Sequence, residues 1–359
     1  MAETHNICAS KLHSLVRRLF TTLNTPRHIA DVVTQSLVNA NLAGHDSHGM
    51  IRIETYLGGI ESGGIDPVAE PEPVKETDNV LVFDGRNGLG IYTAYRAMEI
   101  AIEKAKRSSV CCASFVRIGH IGRLGEHAEL ATRSGCIGMV TWGDGSGTGG
   151  ATVPFGGAEG ALSTNPIAIG VPTGDDTPFI SDFATTVIAG GKISVAASVN
   201  ADLPEGAVID KNGNPTTKID EYQDGGYLLT FGGHKGYALA LLTCLFAGLS
   251  GKFEPERAGL NGTFIQAINV EAFTPLNEYQ RNVRAFLDGI KSVTPAPGFD
   301  EVLVPGDFEY RSRQERLANG IEFPTSIWST LMEWAEKLNV PLDGDVVEPT
   351  DKERYLLAS

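Results

Sequence analysis

Apolar positions near the start of the chain recur at helical spacing. Leu12, Leu15, Val16, Leu19, Phe20 and Leu23 fall on one face of a helix. Thr25 followed by Pro26 has the form of an N-cap and a first-turn proline, which predicts a second helix through Ile29, Val32, Val33 and Leu37. Gly44 predicts its end, and Met50, Ile53, Tyr56, Leu57 and Ile60 mark a third helix. The stretch Ser62 to Asn79, rich in Gly, Pro and Glu, reads as a boundary.

Beyond it the pattern changes. Val80 to Phe83, Val110 to Val116 and Ile137 to Trp142 read as strands, and so do Ala168 to Pro172 and Phe179 to Phe183. Ala94 to Lys106 and Gly122 to Arg133 read as helices between them, and Tyr237 to Leu249 as a buried helix. A last amphipathic helix carries Ile327, Leu331, Trp334, Ala335 and Leu338. Helix and strand are mixed without the strict alternation of a doubly wound sheet.

The chain has 359 residues, beyond the size at which a single core usually stops growing, so two or more subdomains are expected. Its 44 acidic side chains against 29 Lys and Arg leave a net charge of −15. That argues against binding a nucleic-acid backbone, which needs clustered positive charge, but an anionic small substrate needs only one or two buried cations. No apolar leader stands near Met1, and the longest nearly apolar run, Tyr237 to Leu249, is too short to span a bilayer. A cytoplasmic protein without membrane contact is therefore expected. Five cysteines, Cys8, Cys111, Cys112, Cys136 and Cys244, lack metal spacing and read as reduced core thiols.

Gly145, Gly147 and Gly150 fit a dinucleotide fingerprint after a strand. That motif requires a helix N-terminus next, to face the pyrophosphate; Ala151 to Gly157 cannot start one, so the match reads as a glycine loop. The densest polar cluster is Gly44-His45-Asp46-Ser47-His48-Gly49, followed by Arg52. His48 suits a general acid or base near neutral pH, Ser47 an orienting hydroxyl and Arg52 a carboxylate clamp. The bland alternative is an interhelical turn in which Asp46 or Ser47 caps the next helix. His45 and His48 lack further ligands, so no metal is expected. His120 and Arg123, in Gly119 to Gly125, stand between a strand and a helix, where an anion is favoured; a satisfied buried histidine is the alternative for His120. Thr164, the segment Asp182 to Thr186, Gly190-Gly191-Lys192 and Lys235 are each weak alone.

Taken together, NLAGHDSHGMIR, GHIGRLGEHAELA, STNPIAIGVP, DFATTVIAGGKI, FGGHKGYALA and VPGDFEYRSR run in order from Asn41 to Arg313. Six ordered strings resemble the malate/L-lactate dehydrogenase family, which includes ureidoglycolate, sulfolactate and hydroxycarboxylate dehydrogenases and cyclic-imine (piperideine/pyrroline-2-carboxylate) reductases. The hydroxycarboxylate dehydrogenase branch looks closest. The resemblance implies an α+β, non-Rossmann fold. A helical domain would comprise 1–75 and 308–359, and a cofactor- and substrate-binding domain with a largely antiparallel sheet would comprise 76–307. It implies a homodimer and a nicotinamide cofactor, NAD or NADP with NAD favoured. His48 matches the proton donor, Ser47 its neighbour and His120 an acid/base assigned in the ureidoglycolate branch. Lys192 stands at the charge-relay position, and Arg52 and Thr164 match substrate contacts. Cofactor positions match His120, Ile121, Gly122, Arg123, Leu124, Asp182, Phe183, Ala184, Gly190, Gly191, Lys235, Pro305, Gly306 and Asp307. Gly119 stands where Asn or His is common, and Asp307 replaces a usual Glu. Lys192 replaces the Asp of the imine reductases, which favours 2-oxo acid over imine reduction. A cofactor-binding protein without turnover would be expected to lose His48 or Arg52, and both are present.

Overall fold

A computed structural model describes residues 4–145, 149–198, 201–252 and 259–341. Strand β1 (Thr4–Ile7) leads into α1 (Ala9–Thr22), α2 (Arg27–Leu42) and α3 (Ile53–Glu61). Then come β2 (Glu72–Glu76), β3 (Val80–Asp84), α4 (Gly90–Ser108), β4 (Val110–Val116), α5 (Leu124–Arg133) and β5 (Cys136–Gly145). Strands β6 (Ile167–Val171) and β7 (Phe179–Phe183) precede α6 (Gly190–Ser198). A small sheet of β8 (Val208–Ile209), β9 (Pro215–Thr216) and β10 (Tyr227–Leu228) encloses α7 (Ile219–Gln223) in sequence. The chain closes with α8 (His234–Ala247), β11 (Leu260–Asn269), α9 (Leu276–Lys291), α10 (Asp307–Asn319), β12 (Ile321–Pro324) and α11 (Thr325–Lys337).

The main sheet has seven strands in the order β2-β3-β4-β11-β5-β6-β7. Only β3 and β4 run parallel; every other neighbouring pair is antiparallel. This is the mixed, largely antiparallel architecture expected. Among the described residues two large hydrophobic cores form, beside two smaller clusters around Val208 and around Ala240. In one, Leu12, Leu19 and Phe20 of α1 and Val33 and Leu37 of α2 pack with Phe323 of β12 and Leu331 and Trp334 of α11. Elements from the first and last parts of the described chain thus share one core, and β1 pairs with β12 from Thr4↔Pro324 to Ile7↔Ile321. In the other core, Ala94, Ala97, Met98 and Ala101 of α4 and Ala128 of α5 cover Phe83, Phe115 and Ile265 of the sheet.

Several elements differ from the sequence reading. Pro26, not Thr25, sits at the N-cap of α2. Thr25 is buried, and its N–H closes the end of α1 on the Phe20 carbonyl at 3.1 Å. The helix expected from Gly122 begins at Leu124, because Gly122 has φ +73° and Arg123 is extended. Helix α8 is not buried all round. Ala240, Thr243, Cys244 and Ala247 are buried, while Leu241, Leu242 and Leu245 are exposed. Uniform apolarity hid which face packs. Cys8 is exposed and Cys112 half-buried, so only Cys111, Cys136 and Cys244 are core thiols; all five are free. Gly147 lies outside the described residues. After Gly150 the chain makes bridges from Thr152 to Leu162 and Leu228, not a helix, so no Rossmann turn forms there. Among the described residues no helix is long and apolar enough to cross a membrane.

Candidate active site

The turn after α2 is built to hold side chains outward. Two successive 3₁₀ turns, Asp46–His48 and Met50–Arg52, lead into α3. Asn41 ties them together: its Oδ1 accepts from the Met50 N–H at 2.9 Å and its Nδ2 donates to Asp46 Oδ1 at 2.6 Å. Gly49 is required by this approach, since a Cβ there would lie 2.2 Å from Asn41 Oδ1. From α10, Arg316 grips Asp46 through both guanidinium ends, at 2.6 and 3.0 Å, and His45 meets Glu309 at 2.9 Å. The capping role that sequence allowed Asp46 is thus replaced by a clamp between distant helices.

On this turn Ser47 Oγ lies 2.9 Å from His48 Nδ1, and Arg52 Nε donates to the Ser47 carbonyl at 2.8 Å. The His48 ring stacks on His120, with centroids 5.8 Å apart and planes at 15°. His120 Nδ1 receives the Tyr56 hydroxyl at 2.6 Å and the Gly122 N–H at 3.3 Å. Two donors on Nδ1 leave the His120 proton on Nε2. His48 is half-buried, and His120, though part of an exposed stretch of chain, packs its ring against His48 and Tyr56. Burial, then His120 and Arg52, press the His48 pKa down to about 3. Burial and Arg52 lower that of His120 to about 4. Both imidazoles are therefore neutral at neutral pH, and burial holds the Tyr56 hydroxyl protonated.

Strand β7 and its extension gather the remaining segments. Asp182 Oδ2 accepts the Gly125 N–H at 2.8 Å, which joins β7 to the loop 120–124 and the start of α5. The Thr164 carbonyl accepts both the N–H and the hydroxyl of Thr185, at 2.9 and 3.0 Å. Phe183 packs edge-on against Phe231, and the Phe231 N–H bonds to the Thr185 carbonyl at 3.0 Å, so Lys235 in the first turn of α8 is close by in the chain. Pro305 accepts from the Ile180 N–H at 3.4 Å, which brings in Gly306 and Asp307. Helix α6, which carries Gly190, Gly191 and an exposed Lys192, packs on the turn of His48.

Two side chains matched to cofactor contacts are engaged elsewhere. Arg123 is 2 % exposed and faces Glu129 at 3.3 Å. Asp307 accepts from the Val304 N–H at 3.1 Å and from Lys291 at 3.0 Å. Sequence reasoning missed Tyr56, which lies on the apolar face of α3 and reads as core, and Arg316, whose partner is 270 residues away. No signal in the sequence marks the latter.

A model of the malate/L-lactate dehydrogenase family matches residues 7–332. The chain belongs to this family. Malate/(S)-sulfolactate dehydrogenase of Methanothermus fervidus is 35% identical over 339 residues, 92% of this chain and 97% of that protein. Hydroxycarboxylate dehydrogenase B of Escherichia coli O157:H7 is 33% identical over 354 residues, 95% of this chain and 96% of that protein. The solved structure of sulfolactate dehydrogenase from Methanocaldococcus jannaschii superposes with a TM-score of 0.86 at 34% identity, covering 94% of this chain and 98% of that one. As a malate/L-lactate dehydrogenase family member, the protein is an oxidoreductase of the hydroxy acid dehydrogenase type.

Proposed function

We propose that the protein interconverts a small 2-hydroxy acid and its 2-oxo acid with NAD or NADP, NAD favoured. The observation that carries this is the turn itself: an imidazole held by Ser47 stands beside a second imidazole and a guanidinium. The residues around β7 suit a dinucleotide. Lys235 is exposed at the positive end of α8 and would meet a phosphate. The loop 120–124, Asp182 to Ala184, Gly190, Gly191 and the Pro305 turn would frame the rest, Arg123 and Asp307 through their backbone. A bound nicotinamide supplies the hydride exchanged with substrate C2.

The chain's own groups do the positioning. His48 donates its Nδ1–H to Ser47, which leaves Nε2 to take the proton from the 2-hydroxyl or return it to the 2-oxo oxygen. His120, with its proton on Nε2, donates a hydrogen bond to the same region. Arg52 receives the carboxylate and Thr164 fixes its orientation; Lys192 adds positive charge beside the turn. A carboxylate on Arg52 also cancels part of the repulsion that lowers the His48 pKa, so substrate binding favours proton uptake where reduction needs it. The test is a panel of oxaloacetate, pyruvate, sulfopyruvate and phenylpyruvate with NADH and NADPH, followed at 340 nm. Turnover of at least one is expected. Silence with all of them, or turnover confined to a cyclic imine, would reject the reading.

Arg52→Lys should raise KM about 10- to 100-fold with a smaller change in kcat, because an ammonium cannot reproduce two parallel bonds to a carboxylate. An unchanged KM would place the carboxylate elsewhere. The protein is also proposed to work as a homodimer. Leu241, Leu242 and Leu245 of α8 and Phe286 of α9 are large exposed apolar side chains of the kind a partner covers. Light scattering should give twice the chain mass of 38.2 kDa. A 38.2 kDa particle at micromolar concentration would contradict it.

A further inference from the structure

His127, in the first turn of α5, is a buried histidine that the proposed chemistry does not use; it is 1 % exposed. Burial pushes its pKa down, so the ring is neutral and carries one proton. Its Nε2 lies 2.8 Å from the Ile121 carbonyl oxygen, which only accepts, so the proton sits on Nε2. Its Nδ1 has no hydrogen-bond partner among the described residues. A polar ring buried on a single bond gains little over an apolar side chain of the same size, so the group it holds is of interest.

That group is one side of a peptide whose other side reaches the site. The Ile121 C=O and the Gly122 N–H belong to one planar trans peptide and point in opposite directions. The carbonyl is turned inward to His127, and the N–H outward to His120 Nδ1 at 3.3 Å. The chain before this peptide is fixed: a Cβ on Gly90 would meet the His120 and Gly119 carbonyl oxygens at 2.5 and 2.6 Å. Gly122, at φ +73°, has no Cβ to oppose rotation of the peptide, so backbone sterics alone do not choose its direction. The N–H also decides what the shorter bond from Tyr56 leaves open. A hydroxyl donates or accepts, so Tyr56, 2.6 Å from Nδ1, is compatible with either tautomer of His120. An amide N–H only donates, and it requires a bare Nδ1.

We infer that His127 is a positioning residue: by holding the Ile121 carbonyl it turns the Gly122 N–H onto His120 Nδ1, and so keeps the His120 proton on Nε2. Its effect on turnover rests on the proposed use of His120 in the reaction; its effect on the tautomer does not.

The test is NMR of the cofactor-free protein labelled at the histidine ring nitrogens, where protonated and bare nitrogens resonate far apart. The His120 signals are assigned by their loss in His120→Asn. In the unaltered protein Nδ1 should be bare and Nε2 protonated. His127→Leu, which removes the donor, should move proton density to His120 Nδ1. His127→Gln, whose amide N–H reaches as far as Nε2, should restore the original tautomer, and Tyr56→Phe should keep it. With the 2-oxo acid that turns over, kcat should fall about 10-fold in His127→Leu and stay within about threefold in His127→Gln; loss of a proton-transfer group altogether costs ~10²- to 10⁴-fold. An unchanged His120 tautomer in His127→Leu, or a switch in Tyr56→Phe in its place, would overturn the inference. So would a switched tautomer in His127→Gln, a variant that keeps the bond should His127→Leu not fold. A switched tautomer with unaltered kcat would overturn the link to turnover. If no 2-oxo acid is reduced by the unaltered protein, the proposed function fails, and the NMR readout still decides the role of His127.

Discussion

His48→Asn is expected to lower kcat by about 10²- to 10⁴-fold while leaving NADH affinity, read by fluorescence, within a factor of two or three. The two histidines differ in tautomer. Ser47 leaves His48 free to place a lone pair on Nε2, whereas Tyr56 and the Gly122 N–H both point at His120 Nδ1 and keep its proton on Nε2. His48 is thereby suited to exchange a proton, and His120 to donate a hydrogen bond without releasing one. His120→Asn should weaken cofactor binding at least as much as turnover, since His120 also starts the loop 120–124. Both free imidazoles titrate well below neutrality, so neither should produce an acidic limb in kcat/KM for oxidation between pH 6 and 8. Near-normal kcat in His48→Asn, with His120→Asn inactive but still binding NADH, would reverse the two roles.

The second large effect concerns folding. Glu129 is 1 % exposed and lies among Arg313, at 3.0 and 2.9 Å, Arg123 at 3.3 Å and Arg133 at 3.4 Å. Burial alone would raise its pKa, but the arginines, Arg313 foremost, hold it down to about 2. Removing this carboxylate leaves Arg123 and Arg313 buried without a counter-charge. Glu129→Ala should therefore cost about 3–5 kcal/mol, with a fall in Tm of roughly 10 °C. Glu129→Gln, which keeps the volume, should lose most of the same stability, because charge and not packing is what goes. A denaturation midpoint displaced by less than about 1 kcal/mol in both variants would show that the cluster is solvated. The sign with pH follows: a depressed carboxyl pKa contributes stability in full above its unfolded value of about 4.3, lost as pH falls from there towards about 2.

How legible these features are in the sequence depends on the range of their contacts. The helices α1 and α4 and the strands β3 to β7 show in the sequence as helical spacing or as short apolar runs between turn residues. Strand β11 does not, although it lies at the centre of the sheet between β4 and β5. Its segment, LNGTFIQAIN, has a Gly and two Asn and follows a Gly-rich stretch, so neither alternation nor an unbroken apolar run announces it. The small strands β8 to β10 are two residues each, too short for any period to show. In the site, His48, Ser47 and Arg52 are legible because one turn presents them together, with Gly44 and Gly49 marking its ends. Tyr56 is hidden by its own hydrophobicity. Asp46–Arg316 and Glu129–Arg313 are hidden by separation along the chain, since no local rule pairs charges 270 or 184 residues apart. Arg123 shows the converse: a cation at a strand-to-helix junction suggests a phosphate contact, while a buried carboxylate in the next helix turn holds it.

Hydride exchange at C2 of a 2-hydroxy acid can be followed by isotope transfer. NADH or NADPH deuterated at nicotinamide C4, on each face in turn, is incubated with the protein and the 2-oxo acid that turns over. The product is then examined by mass spectrometry and NMR. One of the two labelled cofactors should deliver a single deuterium to C2, in one configuration, with one cofactor oxidised per molecule formed. Product carrying only solvent hydrogen at C2, or cofactor oxidation without a 2-hydroxy acid, would contradict the account.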